Sequence, residues 1–172
     1  GDLLRFLPVE ELRSLRKNYR DYGPLHLYEW SRMEIEAGDG VHCEILAVLS
    51  LQETAAERLI FQVRCADGVQ GGNNRCTKLI FDLREGRLTV DRNGADDWST
   101  GRKSCKLLSQ ESLLIHIFMD TVSVELFTDD YTTAFSTNIY PEEACTELYV
   151  RAEGGGASFL SFETWGMRRV CR

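Results

Sequence analysis

From Leu25 onward the apolar residues of this chain return at every second position. That rhythm places successive side chains on opposite faces of extended strands. Across residues 41–51, Cys43, Ile45, Ala47, Leu49 and Leu51 share one face. Leu59, Phe61, Val63 and Cys65 alternate with Ile60, Gln62 and Arg64, and Met33 and Ile35 alternate with Glu34 and Glu36. Strands are predicted likewise over 78–83, 87–91, 113–119, 122–128, 131–140, 148–152 and 158–165. Turn signals separate them: Arg84-Glu85-Gly86, Asp129-Asp130, Gly154-Gly155-Gly156, and two polar loops at 66–75 and 93–104. Pro141 closes the segment before it, because proline cannot donate to a central ladder. About ten short strands with turns between them predict an all-β, two-sheet antiparallel β-sandwich of jelly-roll or concanavalin-like form. No strand–helix–strand unit is visible, so no dinucleotide cofactor site is expected.

One segment breaks the rhythm. Over 7–17, Pro8 precedes Glu10 and Glu11, and Arg13, Arg16 and Lys17 follow, as a helix dipole favours. Val9, Leu12 and Leu15 recur every third residue as a narrow apolar stripe. A helix this short must dock on something to persist. Residues 19–24 read as a turn or linker. The expected organisation is a linker helix with its connection over 1–24 and a sandwich over 25–172.

The length of 172 residues allows one domain, and 43% hydrophobic with 27% charged residues is ordinary for a folded one. The net charge of −7 argues against nucleic acid and anionic membrane surfaces as partners. The densest basic cluster is Arg102-Lys103 with Lys106. No apolar run approaches the ~20 residues that cross a bilayer. The first seven residues lack the basic and long apolar regions of a signal peptide. Gly1 is not a natural start, so the chain reads as a piece of something longer or a processed form.

The cysteines are Cys43, Cys65, Cys76, Cys105, Cys145 and Cys171. None forms a Cys-x-x-Cys pair and no histidine sits at ligand spacing from them, so no metal is expected. Their even number allows disulfides. Yet Cys43, Cys65 and Cys145 fall in or beside apolar strand patterns, where a buried thiol is the simpler state. Reduced thiols point to a cytoplasmic rather than a secreted protein.

Catalytic constellations are weak. Asp82, Asp91, Asp120, Glu125 and Glu163 lie on strands, but Asp120 and Glu125, five apart, point to opposite faces. His26, His42 and His116 belong to no hydrolase or metalloprotease motif. His116, between Ile115 and Ile117, is expected on the outer, polar face of its strand as a surface or hydrogen-bonded residue. Residues 91–97 fail the calcium-loop pattern at Ala95 and again at Arg102. Trp30 and Trp165 sit in alternating patterns as core or sheet-packing residues. Trp98 instead lies in a polar loop, and with Asn93 and Asp97 it is the candidate contact for a sugar or a protein neighbour.

Two stretches carry more than composition. Leu113-Leu-Ile-His-Ile-Phe-Met-Asp-Thr-Val-Ser-Val-Glu-Leu-Phe127, followed by Ala134-Phe-Ser-Thr-Asn-Ile-Tyr-Pro141, resembles the C-terminal β-sandwich of glycoside hydrolase family 32. This is the family of invertases, levanases and sucrose-6-phosphate hydrolases. Asp120, Ser123, Val124, Glu125 and Phe127 match its Asp-Arg-Ser-Ser-Val-Glu-Val-Phe pattern, and Tyr140-Pro141 matches its Tyr-Pro. Leu88-Thr-Val-Asp-Arg92, the end from Leu148 to Met167, and Pro8-Val9-Glu-Glu-Leu12-Arg-Ser-Leu15-Arg16 also resemble family segments, the last of them the linker after the catalytic domain. Two departures stand out: Thr121-Val122 replaces Arg-Ser, and Thr128-Asp129-Asp130 replaces an Asn-Asp-Gly turn.

The resemblance implies a parent with an N-terminal catalytic propeller, a retaining β-fructosidase acting on sucrose, sucrose phosphate or fructans. The family's Asn-Asp-Pro-Asn, Arg-Asp-Pro and Glu-Cys motifs do not occur in these 172 residues. The chain is therefore expected to be non-catalytic, to need no cofactor, and to brace the propeller of its own parent. Val9, Leu12 and Leu15 would pack at the joint, and the sandwich can also support homo-oligomers. The alternatives are a lectin-like module contacting fructans through Trp98 and a free-standing protein-interaction sandwich.

Overall fold

The computed structural model describes residues 4–66 and 75–169. Among them are thirteen strands in two antiparallel sheets and one short helix. The strands are β1 (Arg16–Asp21), β2 (Leu25–Leu27), β3 (Arg32–Glu34), β4 (Cys43–Ser50), β5 (Arg58–Cys65), β6 (Thr77–Asp82) and β7 (Arg87–Asp91). They continue with β8 (Arg102–Lys106), β9 (Ser112–Asp120), β10 (Ser123–Thr128), β11 (Thr133–Asn138), β12 (Glu147–Glu153) and β13 (Ala157–Met167). One sheet runs β1-β13-β4-β9-β10-β11, with β2 also on the edge of β13; the other runs β3-β12-β5-β6-β7-β8. The predicted two-sheet sandwich is the observed fold.

The core lies where the alternation puts it. Ile45, Ala47 and Leu49 of β4 and Ile115 and Ile117 of β9 face Phe61, Val63, Leu79 and Phe81 of the second sheet. Phe162 is fully buried and stacks on Phe61 with ring centroids 6.2 Å apart, while Tyr22 and Phe159 meet its ring edge-on. Cys43, Cys65, Cys76 and Cys145 are buried. Burial pushes the Cys43 thiol well above its ordinary value.

Three expectations need correction. The helix predicted over 7–17 is a 3₁₀ helix confined to Glu10–Leu15. Its stripe had period three, which is the 3₁₀ repeat rather than the 3.6 of an α-helix. The end of that helix and the connection after it are strand β1, hydrogen-bonded along β13 from Arg16↔Met167 to Asp21↔Glu163. Arg-Lys-Asn-Tyr-Arg-Asp shows no alternation because β1 is an edge strand with mostly exposed side chains, held through its backbone. Trp30 is in no core: it stands 70% exposed in the turn between β2 and β3. The loop predicted at 66–75 falls mostly outside the described residues, as does Cys171.

Candidate functional site

Strands β4 and β9 carry apolar side chains on both faces. Their inward residues build the core, and their outward residues include Leu46, Val48, Leu114 and Phe118, all half-buried. A sheet that is apolar on both sides belongs between two layers. The second sheet provides one layer. On the outer side the described residues provide only a strap, formed by residues 4–15 on their way into β1.

The strap is pinned at both ends. The Phe6 N–H donates to the Tyr131 carbonyl at 2.7 Å, and Arg5 pairs with Asp130 at 2.5 Å. At the other end the Leu15 carbonyl accepts the Arg168 N–H at 2.9 Å. Leu12 and Leu15 line a groove of about 510 Å³ together with Phe118, Met119, Glu125 and His42. Leu4, Leu7 and Val9 turn the other way, into solvent; Leu7 is 65% exposed. Of the predicted stripe, the structure brings Leu12 and Leu15 together on the sheet and leaves Val9, which precedes the helix, outside.

A polar network lies at the root of the strap. Arg16 donates Nε to Glu44 Oε2 at 2.7 Å and Nη2 to Oε1 at 2.6 Å. Its guanidinium sits 4.0 Å from the centroid of Trp165. His116 Nε2 bonds the same Glu44 Oε1 at 2.7 Å, and its Nδ1 meets the Tyr131 hydroxyl at 2.9 Å. The Glu44 side chain is 1% exposed, although it points away from the core. Burial alone would raise its carboxyl pKa; hydrogen bonds from Arg16 and His116 outweigh that and hold it below the ordinary carboxylate value. His116 is on the outer face, as its alternation predicts, but it is not at the surface: Phe118, Phe127 and Tyr131 enclose its ring.

The turn before β11 explains how Tyr131 reaches it. Asp129, Asp130 and Tyr131 are all left-handed, with φ of 51, 54 and 65°. Asp tolerates that region better than most residues, and the turn lies where the sequence departs from the Asn-Asp-Gly pattern it otherwise resembles. The Asp129 carboxylate holds the turn by accepting the N–H groups of Leu108 and Ser109, each at 3.0 Å. The other departure, Thr121, bonds His42 Nε2 at 3.0 Å, and His42 Nδ1 meets Asp39 at 2.9 Å. Asp120 shares the same Nε2 at 3.2 Å, so the cluster ties the β9–β10 hairpin to the preceding turn.

The sequence-derived sugar candidates share one loop without converging. Trp98 is 84% exposed. Its N–H is held by the buried Asp96 carboxylate at 2.8 Å, which also accepts the N–H of Tyr140 at 2.9 Å. Asp97 pairs with Arg75 at 2.8 Å, and Asn93 Oδ1 accepts the Gly101 N–H at 2.8 Å. No hydrogen bond among the described residues joins Asn93, Asp97 and Trp98 to one another. Sequence reasoning missed Arg16, Glu44 and Tyr131. The signal was the apolar outer face around them: a carboxylate beside Phe118 and Phe127 does not face water.

Residues 11–166 match the family described as Glycosyl hydrolases family 32 C terminal. The chain is 29% identical over 129 residues to a sucrose-6-phosphate hydrolase of Zymomonas mobilis, covering 73% of this chain and 24% of that protein. It is 26% identical over 170 residues to a levanase of Bacillus subtilis, covering 95% of this chain and 24% of that protein. Among solved structures, fructan 1-exohydrolase IIa of Cichorium intybus shares the fold with a TM-score of 0.82 at 13% identity, over 99% of this chain and 39% of that one. The chain thus spans about a quarter of the length of the first two relatives. The match over nearly the whole sandwich, together with its two-sheet architecture, places this chain in the C-terminal domain family of the family 32 glycosyl hydrolases.

Proposed function

We propose that this chain is the non-catalytic sandwich of a β-fructofuranosidase-type hydrolase and braces a catalytic domain packed on the outer face of the seven-stranded sheet. The observation that carries this reading is the row of half-buried Leu46, Val48, Leu114 and Phe118 on the outer face of β4 and β9, crossed by a strap whose Leu4, Leu7 and Val9 are exposed. These groups supply the apolar centre of an interdomain contact, which typically buries about 600–1,500 Å². The parent's reaction needs two carboxylates flanking a glycosidic bond. Among the described residues, the inward-facing positions of this sandwich are filled by core side chains. Purified and incubated with sucrose, sucrose 6-phosphate and inulin, the 172-residue chain is expected to release no fructose, while the whole parent does. Fructose release by the chain alone, surviving repurification, would overturn the reading.

The exposure of Trp98 on a loop braced by Asp96 favours a second reading, in which the loop contacts a fructan by stacking. Saturable fructan binding abolished by Trp98→Ala is what that reading requires.

A further inference from the structure

At the end of the sandwich opposite Trp98, the turn at 28–31 carries the chain from β2 in one sheet to β3 in the other. Its conformation is uncomfortable. Trp30 has φ +63°, a region a bulky side chain rarely adopts. The surroundings impose it: the Trp30 N–H donates to the Ala152 carbonyl at 3.0 Å, and Ser31 donates both its N–H, at 3.0 Å, and its Oγ, at 2.6 Å, to the Tyr28 carbonyl. The other bulky left-handed residues serve the fold through their side chains. Arg64 donates to the carbonyl of Cys145, and Tyr131 meets His116. Trp30 instead presents its ring to solvent, 70% exposed, and Tyr28, two residues earlier in the same turn, is 74% exposed.

The Tyr28 ring is held in place as well. His26 meets it edge-on, with centroids 5.1 Å apart and planes at 78°. His26 is itself fixed by Ser158 Oγ at 2.9 Å from its Nδ1. It also rests against Gly156, where an added Cβ would lie 2.6 Å from His26 Nε2. Two exposed aromatic rings, Tyr28 held by His26 and Trp30 carried on a fixed backbone, with the exposed Glu29 between them in sequence, offer apolar faces and hydrogen-bond acceptors together. An apolar partner surface has no use for that carboxylate. The C–H faces and hydroxyls of a sugar chain match both kinds of group.

We propose that the 28–31 turn is a stacking site for a fructan chain, with Trp30 and Tyr28 as its platform. The choice of fructan rests on the proposed parent activity; the site itself rests on the strained, solvent-facing Trp30. Electrophoresis of the 172-residue chain through gels containing levan or inulin tests it. The wild-type chain should be retarded. Trp30→Gly and Tyr28→Ala should bind at least tenfold more weakly, and Trp98→Ala should run like wild type. Glycine suits a positive φ, so Trp30→Gly should melt no lower than wild type, which separates lost binding from lost folding. An unretarded wild type, equal retardation of Trp30→Gly, or loss confined to Trp98→Ala would each overturn the proposal. So would a Trp30→Gly variant whose only change is its oligomeric mass in light scattering, since that marks a protein contact. None of these outcomes bears on fructose release, which tests the parent reading separately.

Discussion

Glu44→Ala should destabilise the chain by about 3 kcal/mol, because it strips a buried carboxylate from two partners and leaves them unpaired. Arg16 loses both hydrogen bonds to the carboxylate, and His116 loses its Nε2 partner. For a domain of this size that corresponds to a fall in melting temperature of roughly 6–12 °C. Arg16 is partly exposed and recovers some hydration, which keeps the loss near the lower end of the range for broken buried pairs. Replacing Arg16, Glu44 and His116 together with Met, Leu and Leu should cost far less than Glu44→Ala alone, since no charge is then stranded. The same network gives a pH dependence. The folded pKa of Glu44 lies below its ordinary value of 4.5, so its contribution is fully present above that pH. It is lost as pH falls below 4.5 and through the lowered folded value. Urea midpoints measured from pH 6 down to pH 3 should therefore fall less steeply for Glu44→Ala than for wild type.

Phe162→Ala should have the largest effect in the core. The ring is fully buried at the centre of β13 and touches Phe61, Phe159 and Tyr22. Removing it costs transfer free energy and opens a cavity bounded by aromatic rings that cannot collapse inward, about 3–5 kcal/mol. The melting temperature should drop by roughly 6–20 °C, with an unchanged denaturant slope if the transition stays two-state. Phe162→Leu, which keeps most of the volume, should lose less than half as much. Equal losses for the two would mean that this ring does not fill the inter-sheet core.

The strands legible in the sequence were those whose two faces differ or are both apolar. β4, β5, β6 and β9 declare themselves because each buries a row of Ile, Leu, Val or Phe. β1 and β8, Arg16–Asp21 and Arg102–Lys106, did not, since edge strands held by backbone pairing need no apolar row. The period of three in Val9, Leu12 and Leu15 was visible, but its meaning as a 3₁₀ turn was not, because so short a run fits both helices. At the site, the spacing put Leu12 and Leu15 in one stripe with Val9, and the structure places the first two along the groove with Phe118 and leaves Val9 exposed. The Arg16–Glu44–His116–Tyr131 network did not, since its four members come from β1, β4, β9 and a left-handed turn, and only register brings them together. Nor does any local pattern tell that Trp30 faces solvent, because its exposure follows from the crossing between sheets.

The proposal that a catalytic domain covers the outer face of the seven-stranded sheet makes opposite demands on one residue in two settings. Leu7 is exposed in this chain, so Leu7→Asp here should change stability by less than about 0.5 kcal/mol, as surface substitutions do. In the whole parent the same residue would be buried in the joint, and Leu7→Asp should cost about 2 kcal/mol or more from lost apolar burial and a buried carboxylate. Melting both proteins with and without the substitution decides between the alternatives: a clear drop confined to the parent is the predicted result, and an equally small shift in both would contradict it.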